Sequence, residues 1–262
     1  MLGTGEQVLE TMPDDWQRAL AVVAHPDDLE YGAAAAVAEW VQAGKEVGYL
    51  LVTRGEAGID GLEPGECARI REGEQRASAG AVGVSTVEFL DHRDGVIEES
   101  VALRRDIAAA VRRHRPELVI TINHHDTWGG DYWNTPDHRA VGRAVLDAVG
   151  DAGNQWIFTE QLSGDGEDPK GAGEGADSGL RPWSGVRWVA VAASPYVTHA
   201  APVGERSVER AVASLAEHRA YITALSDEEP EAYARAIVSH GVEMGADRYA
   251  GRPCVAFQLY PR

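Results

Sequence analysis

Between residues 18 and 150 the chain alternates. Short runs rich in valine, leucine and alanine take turns with longer amphipathic stretches, and few folds are open to a chain patterned this way. "RALAVVA" (18–24), "EVGYLLVT" (46–53), "TVEFL" (86–90) and "ELVITI" (117–122) have the length and composition of buried strands. The segments 29–43, 66–83, 99–115 and 136–150 have helical periodicity, with Gly44 at a helix C-terminus and Pro116 as a stop. Strand and helix in turn, at this spacing, predict right-handed βαβ units and an α/β fold with a mostly parallel sheet. Beyond residue 150, strands are expected at 154–159, 186–194 and 253–260, and helices at roughly 205–225 and 228–244. The glycine-rich acidic segment "SGDGEDPKGAGEGADSGL" (163–180) has the composition of a flexible loop. No repeat is visible, and 262 residues suffice for one domain spanning 1–262.

The formal charge of −18 gives no basic footprint for nucleic acid and no attraction to an anionic membrane. The two cysteines, Cys67 and Cys254, are too few for a disulfide framework or a thiolate zinc site. The N-terminus lacks the basic and apolar regions of a signal peptide, and no run of 18 apolar residues occurs. The expected location is the cytoplasm.

Chemistry concentrates at two turns. "AHPDDLEYG" follows the first predicted strand, where open parallel sheets bind ligands. Proline and acidic residues suit a helix start on their own, but His25 does nothing for a helix. An imidazole and the Asp28 carboxylate three positions on can converge on zinc or a similar divalent cation. "TINHHDTWGGDYWNTPDHRAVG" (121–142) follows the fourth predicted strand and offers His124, His125 and His138 as further ligands. Thr135-Pro136-Asp137 there is also a sound helix N-terminus. The loops after the first and fourth strands flank the expected switch point, so His25, Asp28 and His138 can meet.

Taken in order, "AHPDD", "TRGEAG" and "PDHRAVG" resemble the motifs of the LmbE-like (PIG-L-type) metal-dependent deacetylases, over roughly the first 150 residues. That family includes deacetylases of N-acetylglucosaminyl-phosphatidylinositol, of mycothiol and bacillithiol precursors, of diacetylchitobiose and of glycopeptide-antibiotic sugars. The resemblance implies a Rossmann-like three-layer sandwich. It implies zinc, or another divalent metal, held by His25, Asp28 and His138, with Asp27 as general base. It also implies substrate contacts from Glu56, Arg71 and Asp94, although Arg71 could equally be a surface helical residue and Asp94-Gly95 an ordinary turn. The expected substrate is a small N-acetylated amino sugar, free or as a glycoside, and homo-oligomerisation is left open.

One departure stands out. Several family members have a histidine where this chain has Thr135, and a threonine hydroxyl is no proton donor near neutral pH. His124, His125 and His218 (in "LAEHRAY") are the candidate replacements, unless Asp27 both takes and returns the proton. Asp137 is expected to orient a ligand or a positive group, or simply to start its helix. Trp128, Tyr132 and Trp133 could form a platform for a sugar ring or an apolar aglycone, or pack their loop. A zinc amidase for a larger acyl group would keep the same residues; two readings of other classes are a non-catalytic sugar- or nucleotide-binding module and a metal-binding regulatory or structural protein. The lack of a G-x-G-x-x-G fingerprint weighs against dinucleotide binding.

Overall fold

The computed structural model describes residues 8–163 and 179–262. The chain order is β1 (Glu10–Thr11), β2 (Arg18–Val23), α1 (Asp28–Gly32), α2 (Ala34–Gln42), β3 (Glu46–Leu51), α3 (Pro64–Val82), β4 (Thr86–Phe89), α4 (Val101–His114), β5 (Leu118–Ile122) and α5 (Pro136–Gly153). It continues through β6 (Trp188–Ala192), β7 (His199–Pro202), α6 (Glu205–Ala216), α7 (Arg219–Leu225), α8 (Pro230–Met244) and β8 (Cys254–Pro261). The strands form one eight-stranded sheet in the order β1-β7-β8-β6-β5-β2-β3-β4. Every pairing is parallel except those of β8, which runs antiparallel to both β6 and β7.

The central strands are almost wholly apolar and buried because both faces of the sheet are covered. Along β2, Ala19, Ala21 and Val23 pack into one cluster and Leu20 and Val22 into the other. The first cluster lies under α2, α3, α6 and α8, with Trp16, Trp40 and Phe257 among its large members. The second lies under α4 and α5, with Leu103, Ile107 and Val145. This is the expected three-layer α/β sandwich. No helix among the described residues is long and apolar enough to cross a membrane.

Four local expectations change. Residues 154–159 form no strand; Asn154 caps α5, and a 3-10 turn follows at Thr159–Gln161. The buried Arg112 explains this. Its guanidinium donates to the carbonyls of Asn154, Ile157 and Phe158, so these acceptors turn toward a cation instead of a neighbouring strand, and Trp156 is left 78% exposed. The expected helix at 29–43 is broken at Ala33, where Gly32 lies so close to Ala192 that a β-carbon would stand 3.2 Å from that side chain. The helix at 205–225 breaks at Glu217 and His218, where the histidine turns into the core. The short strands β1 and β7, two and four residues long, have too few positions to show a period. Of the glycine-rich stretch at 163–180, residues 164–178 lie outside the described residues.

Candidate active site

From β2 the chain moves outward through β3 to β4, then crosses back to place β5 on the other side of β2. This reversal opens a crevice at the carboxyl ends of β2 and β5. The β2–α1 turn delivers His25, Asp27 and Asp28 to it, and the first turn of α5 delivers His138. The N-terminus of α5 is set by Thr135, whose hydroxyl oxygen accepts from the His138 backbone N–H, and by Pro136 at the first helical position.

Nδ1 of His25 lies 3.2 Å from Nε2 of His138, which is 3.0 Å from Oδ1 of Asp28. Oδ2 of Asp28 lies 3.6 Å from His25 Nδ1. The other nitrogen of each ring is accounted for. His25 Nε2 faces carboxylate oxygens of Asp94 at 3.1 Å and Asp137 at 3.2 Å; these can only accept, so Nε2 carries the hydrogen. His138 Nδ1 faces Oδ1 of Asn134 at 3.2 Å. The Asn134 amide is oriented by donating Nδ2 to the carbonyls of Asn123 and His125, so Nδ1 of His138 carries its hydrogen as well. With both rings neutral, two imidazole lone pairs and a carboxylate thus converge on one point. That arrangement calls for a cation. The separations are close to the ~3.3 Å edge of a tetrahedron with ligands about 2.0–2.1 Å from zinc, and His25, Asp28 and His138 form one of two candidate metal-holding groups among the described residues. The other, His25 with Asp94 and Asp137, is the pair of carboxylates that fixes the His25 ring, a common arrangement behind metal-bound histidines. Asp137 has further partners in the backbone N–H groups of Gly95 and Ile97.

The charges in the metal-free protein tell the same story. Burial alone would lower the His25 pKa, but Asp28, Asp137 and Asp94 override it and raise it well above the ordinary value. Burial would raise Asp28, and His138 and His25 together hold it far below the usual carboxylate range instead. A proton on His25 stands where a cation would.

Asp27 is handled differently. Its backbone lies in the left-handed region (φ 94°), unusual for a residue with a side chain, and strain of this kind gathers at functional sites. The turn sends its carboxylate away from that of Asp28, toward Arg71 at 3.2 Å. Its backbone N–H donates to Gln75. Burial is the main influence on the carboxyl and pushes it up to about 7, against the pull of Arg71 and with help from the neighbouring Asp28 charge. Arg71 is 2% exposed and also donates to the carbonyls of Pro26 and Gly55. Gly55 (φ 66°) has to be glycine on two counts, since a β-carbon there would stand 2.3 Å from the guanidinium.

The remaining residues singled out from the sequence divide by location. Glu56 accepts from the backbone N–H of Asp94, and Asp94 in turn faces His25, so the three form one chain behind the triad. His124 packs against His125 and Tyr260, and burial pushes its imidazole down to about 4. His125 faces Gln258 and Tyr196. His218 is fully buried, 3.7 Å from Glu30. The Trp128 ring meets the His138 ring edge-on at 5.3 Å, whereas Tyr132 and Trp133 are exposed and Trp133 lies under Arg139. Asn134, Gln75 and Glu30 escaped the sequence reading. Asn134 stands four residues before His138, a spacing that could have signalled its role. Glu30 resembles any acid in a first helical turn, yet it is buried and accepts from Gln75 and Ser78.

Comparison with known proteins agrees with this geometry. The family model described as PIG-L: GlcNAc-PI de-N-acetylase matches residues 20–149, which include the triad and Asp27. A diacetylchitobiose deacetylase of Thermococcus kodakarensis is 33% identical over 142 residues, covering 53% of this chain and 52% of that protein. A 1D-myo-inositol 2-acetamido-2-deoxy-alpha-D-glucopyranoside deacetylase of Kineococcus radiotolerans is 34% identical over 177 residues, covering 53% and 47%. The chain thus spans about half the length of the curated relatives it matches. The N,N'-diacetylchitobiose deacetylase of Pyrococcus horikoshii, solved with an inhibitor, superposes with a TM-score of 0.76 at 21% identity, over 94% of this chain and 85% of that one; at that identity the likeness is one of fold. The strand order, the His-Asp-His convergence and the family match agree: this chain carries a PIG-L (LmbE-like) family domain.

Proposed function

We propose that this chain is a zinc-dependent hydrolase that removes the N-acetyl group from a small N-acetylglucosamine-type sugar or glycoside. The observation that carries the proposal is the convergence of His25 Nδ1, His138 Nε2 and Asp28, with the Asp27 carboxylate outside the triad in the same turn and held by Arg71. Three ligands and a spare acid suit catalysis, whereas a structural zinc takes four protein ligands. The relatives named as deacetylases of chitobiose and of a GlcNAc-inositol support the substrate class.

Bound zinc would supply a Lewis acid that acidifies water and polarises the acyl carbonyl. The chain's own residues supply the proton traffic. Asp27 accepts the proton of the attacking water on its carboxylate and returns it to the nitrogen of the departing amine, so amide and water become free amine and acetate. A carboxyl that burial brings near 7 is suited to both halves of that exchange near neutral pH; a bound cation draws it lower. Arg71 holds Asp27 in place from the buried side. Thr135 caps α5, and its hydroxyl is no proton donor near neutral pH. Asp94 and Asp137 keep the His25 ring oriented, and Glu56 holds the Asp94 turn.

The test is acetate release by metal-stripped and zinc-restored protein from free N-acetylglucosamine, diacetylchitobiose, GlcNAc-inositol and a glycopeptide glycoside. Zinc-dependent acetate from at least one is the expected result. No acetate from any, with one zinc bound per chain, would overturn the deacetylase assignment and leave the metal site.

A further inference from the structure

Behind Asp27 lies a layer of buried polar side chains with no part in the proposed proton traffic. The peptide joining Pro26 to Asp27 is held at both of its polar ends from α3. The Pro26 carbonyl accepts from Nη2 of Arg71, and the Asp27 N–H donates to Oε1 of Gln75 at 2.9 Å. Arg71 and Gln75 are four positions apart on the helix, so they stand on the same face, one above the other. The peptide they hold leads into the left-handed residue, φ 94° at Asp27, and such a conformation persists only where its surroundings fix it.

Gln75 does not hold the N–H unaided. Its amide has an accepting oxygen at one corner and a donating nitrogen at the other, and the two exchange places when the amide turns over. Glu30 fixes the choice, because its Oε1 accepts from Gln75 Nε2 at 3.0 Å. Turned over, the amide would set a donor against the Asp27 N–H and an acceptor against the Glu30 carboxylate. Both side chains are buried, so solvent would relieve neither contact. The carboxylate that orients Gln75 is itself a buried anion, which is costly without a countercharge. Ser78 donates a second bond to the same oxygen at 2.7 Å. The countercharge comes from His218, whose Nε2 lies 3.7 Å from Glu30 Oε2. Burial would lower that imidazole, and Glu30 raises it above its ordinary value instead. His218 is fully buried at the break between α6 and α7, and neither of its ring nitrogens has a hydrogen-bond partner among the described residues. Its contribution is charge.

We infer that Gln75, oriented by Glu30 and with His218 balancing the charge, is a positioning residue for the reaction: it holds the Asp27 peptide in its left-handed turn and so aims the carboxylate of the proposed base. His218, a candidate proton donor from the sequence, serves in this arrangement as the countercharge. The inference rests on the deacetylase reading for its rate readout, and a second readout is independent of turnover.

Gln75→Leu removes the acceptor at similar volume. Ser78→Ala removes the other donor to the same Glu30 oxygen and leaves Gln75 in place, so it controls for damage to the network as such. Misplacing a reacting group by about 1 Å can cost about 10²-fold, so zinc-loaded Gln75→Leu should lose at least about tenfold in kcat with KM within a few-fold. Ser78→Ala should lose Tm and keep kcat within a few-fold of wild type. Glu30→Leu should follow Gln75→Leu, and Glu30→Gln, which returns an oxygen to Gln75 Nε2, should recover most of the loss. Gln75→Asn, whose amide ends one methylene short, carries the same expectation if Gln75→Leu does not fold. The readout free of turnover is hydrogen exchange at the Asp27 N–H, followed by NMR against the Val52 N–H, which donates to the Val23 carbonyl in the sheet and reports general opening. Relative to Val52, exchange at Asp27 should quicken about tenfold or more in Gln75→Leu and stay unchanged in Ser78→Ala. Unchanged relative exchange at Asp27 in Gln75→Leu, or a zinc-loaded Gln75→Leu enzyme as fast as Ser78→Ala, would overturn the inference. If the wild type releases acetate from none of the sugars, the deacetylase reading fails by itself, and exchange alone decides whether Gln75 holds the turn.

Discussion

Replacing Asp27 by asparagine separates its proposed chemistry from its structural surroundings. The side chain keeps its shape, and asparagine tolerates the left-handed backbone that residue 27 adopts. Arg71 keeps its bonds to the Pro26 and Gly55 carbonyls. Removing one partner of a buried ion pair commonly costs about 3–5 kcal/mol, but a carboxyl brought to about 7 by burial is only partly ionised at neutral pH, and the asparagine amide oxygen can still accept from Arg71. A net loss of about 1 kcal/mol follows, or roughly 2–4 °C in Tm for a chain of this size. The catalytic loss is larger. A positioned acid–base group contributes roughly 10²–10⁴ in rate, or about 2.7–5.4 kcal/mol of barrier. Zinc content should not change, because Asp27 is outside the triad. Asp27→Ala adds the backbone cost of a left-handed alanine, roughly 1–2 kcal/mol, so the two variants should match in kcat and differ in Tm. The assays are metal analysis, thermal unfolding and acetate release. A zinc-loaded Asp27→Asn enzyme within a few-fold of the wild-type rate would refute the role given to Asp27.

His138→Ala should lose zinc outright, and Asn134→Ala should weaken zinc binding roughly 10–100-fold by freeing the His138 ring, both read by competition with a chelator. Thr135→Ala should cost about 1 kcal/mol for the lost cap and leave kcat of the zinc-loaded enzyme within a few-fold of wild type; a 100-fold drop would restore position 135 to the chemistry. In the metal-free protein, the raised His25 pKa stabilises the fold fully below the unfolded value of about 6.5, and that contribution is lost as pH rises through the folded value. The depressed Asp28 pKa contributes above about 3.9 and is lost as pH falls through its own folded value, so these two groups favour the metal-free fold most between about pH 4 and 6.5. Zinc displaces the His25 proton, so its affinity should fall about tenfold per pH unit below the raised pKa, measured by chelator competition across pH.

The layer order and the meeting of His25, Asp28 and His138 were legible because each rests on a local signal. Alternating apolar runs report a sheet covered on both faces, and a histidine that does nothing for its helix stands out against "PDD" and "TPD". What escaped was of another kind. Residues 154–159 have strand composition, and only the distant Arg112, reaching from α4 to collect their carbonyls, makes them a turn. Arg71 was expected beside a substrate from its family position, but it is buried against Asp27 because Gly55 lets α3 approach the β2 turn. No pattern within either segment records those approaches.

The same distinction governs a cavity beside the site. Its wall, around a space of about 360 Å³ beyond Trp128, draws on α1, α2, α8, the loop before α5 and the strand ends of β6 and β8, segments separated by more than two hundred residues and mostly ordinary on their own, such as an alanine run and a valine pair on a helix. Each has an ordinary explanation as core. Only their meeting beyond Trp128 creates a mostly apolar space on the far side of that ring from His138. Metal ligands must be particular residue types and so leave a mark in sequence, whereas an apolar cavity needs only small side chains and room. A candidate metal site is therefore readable from a few motifs, while the space beside it is set by packing.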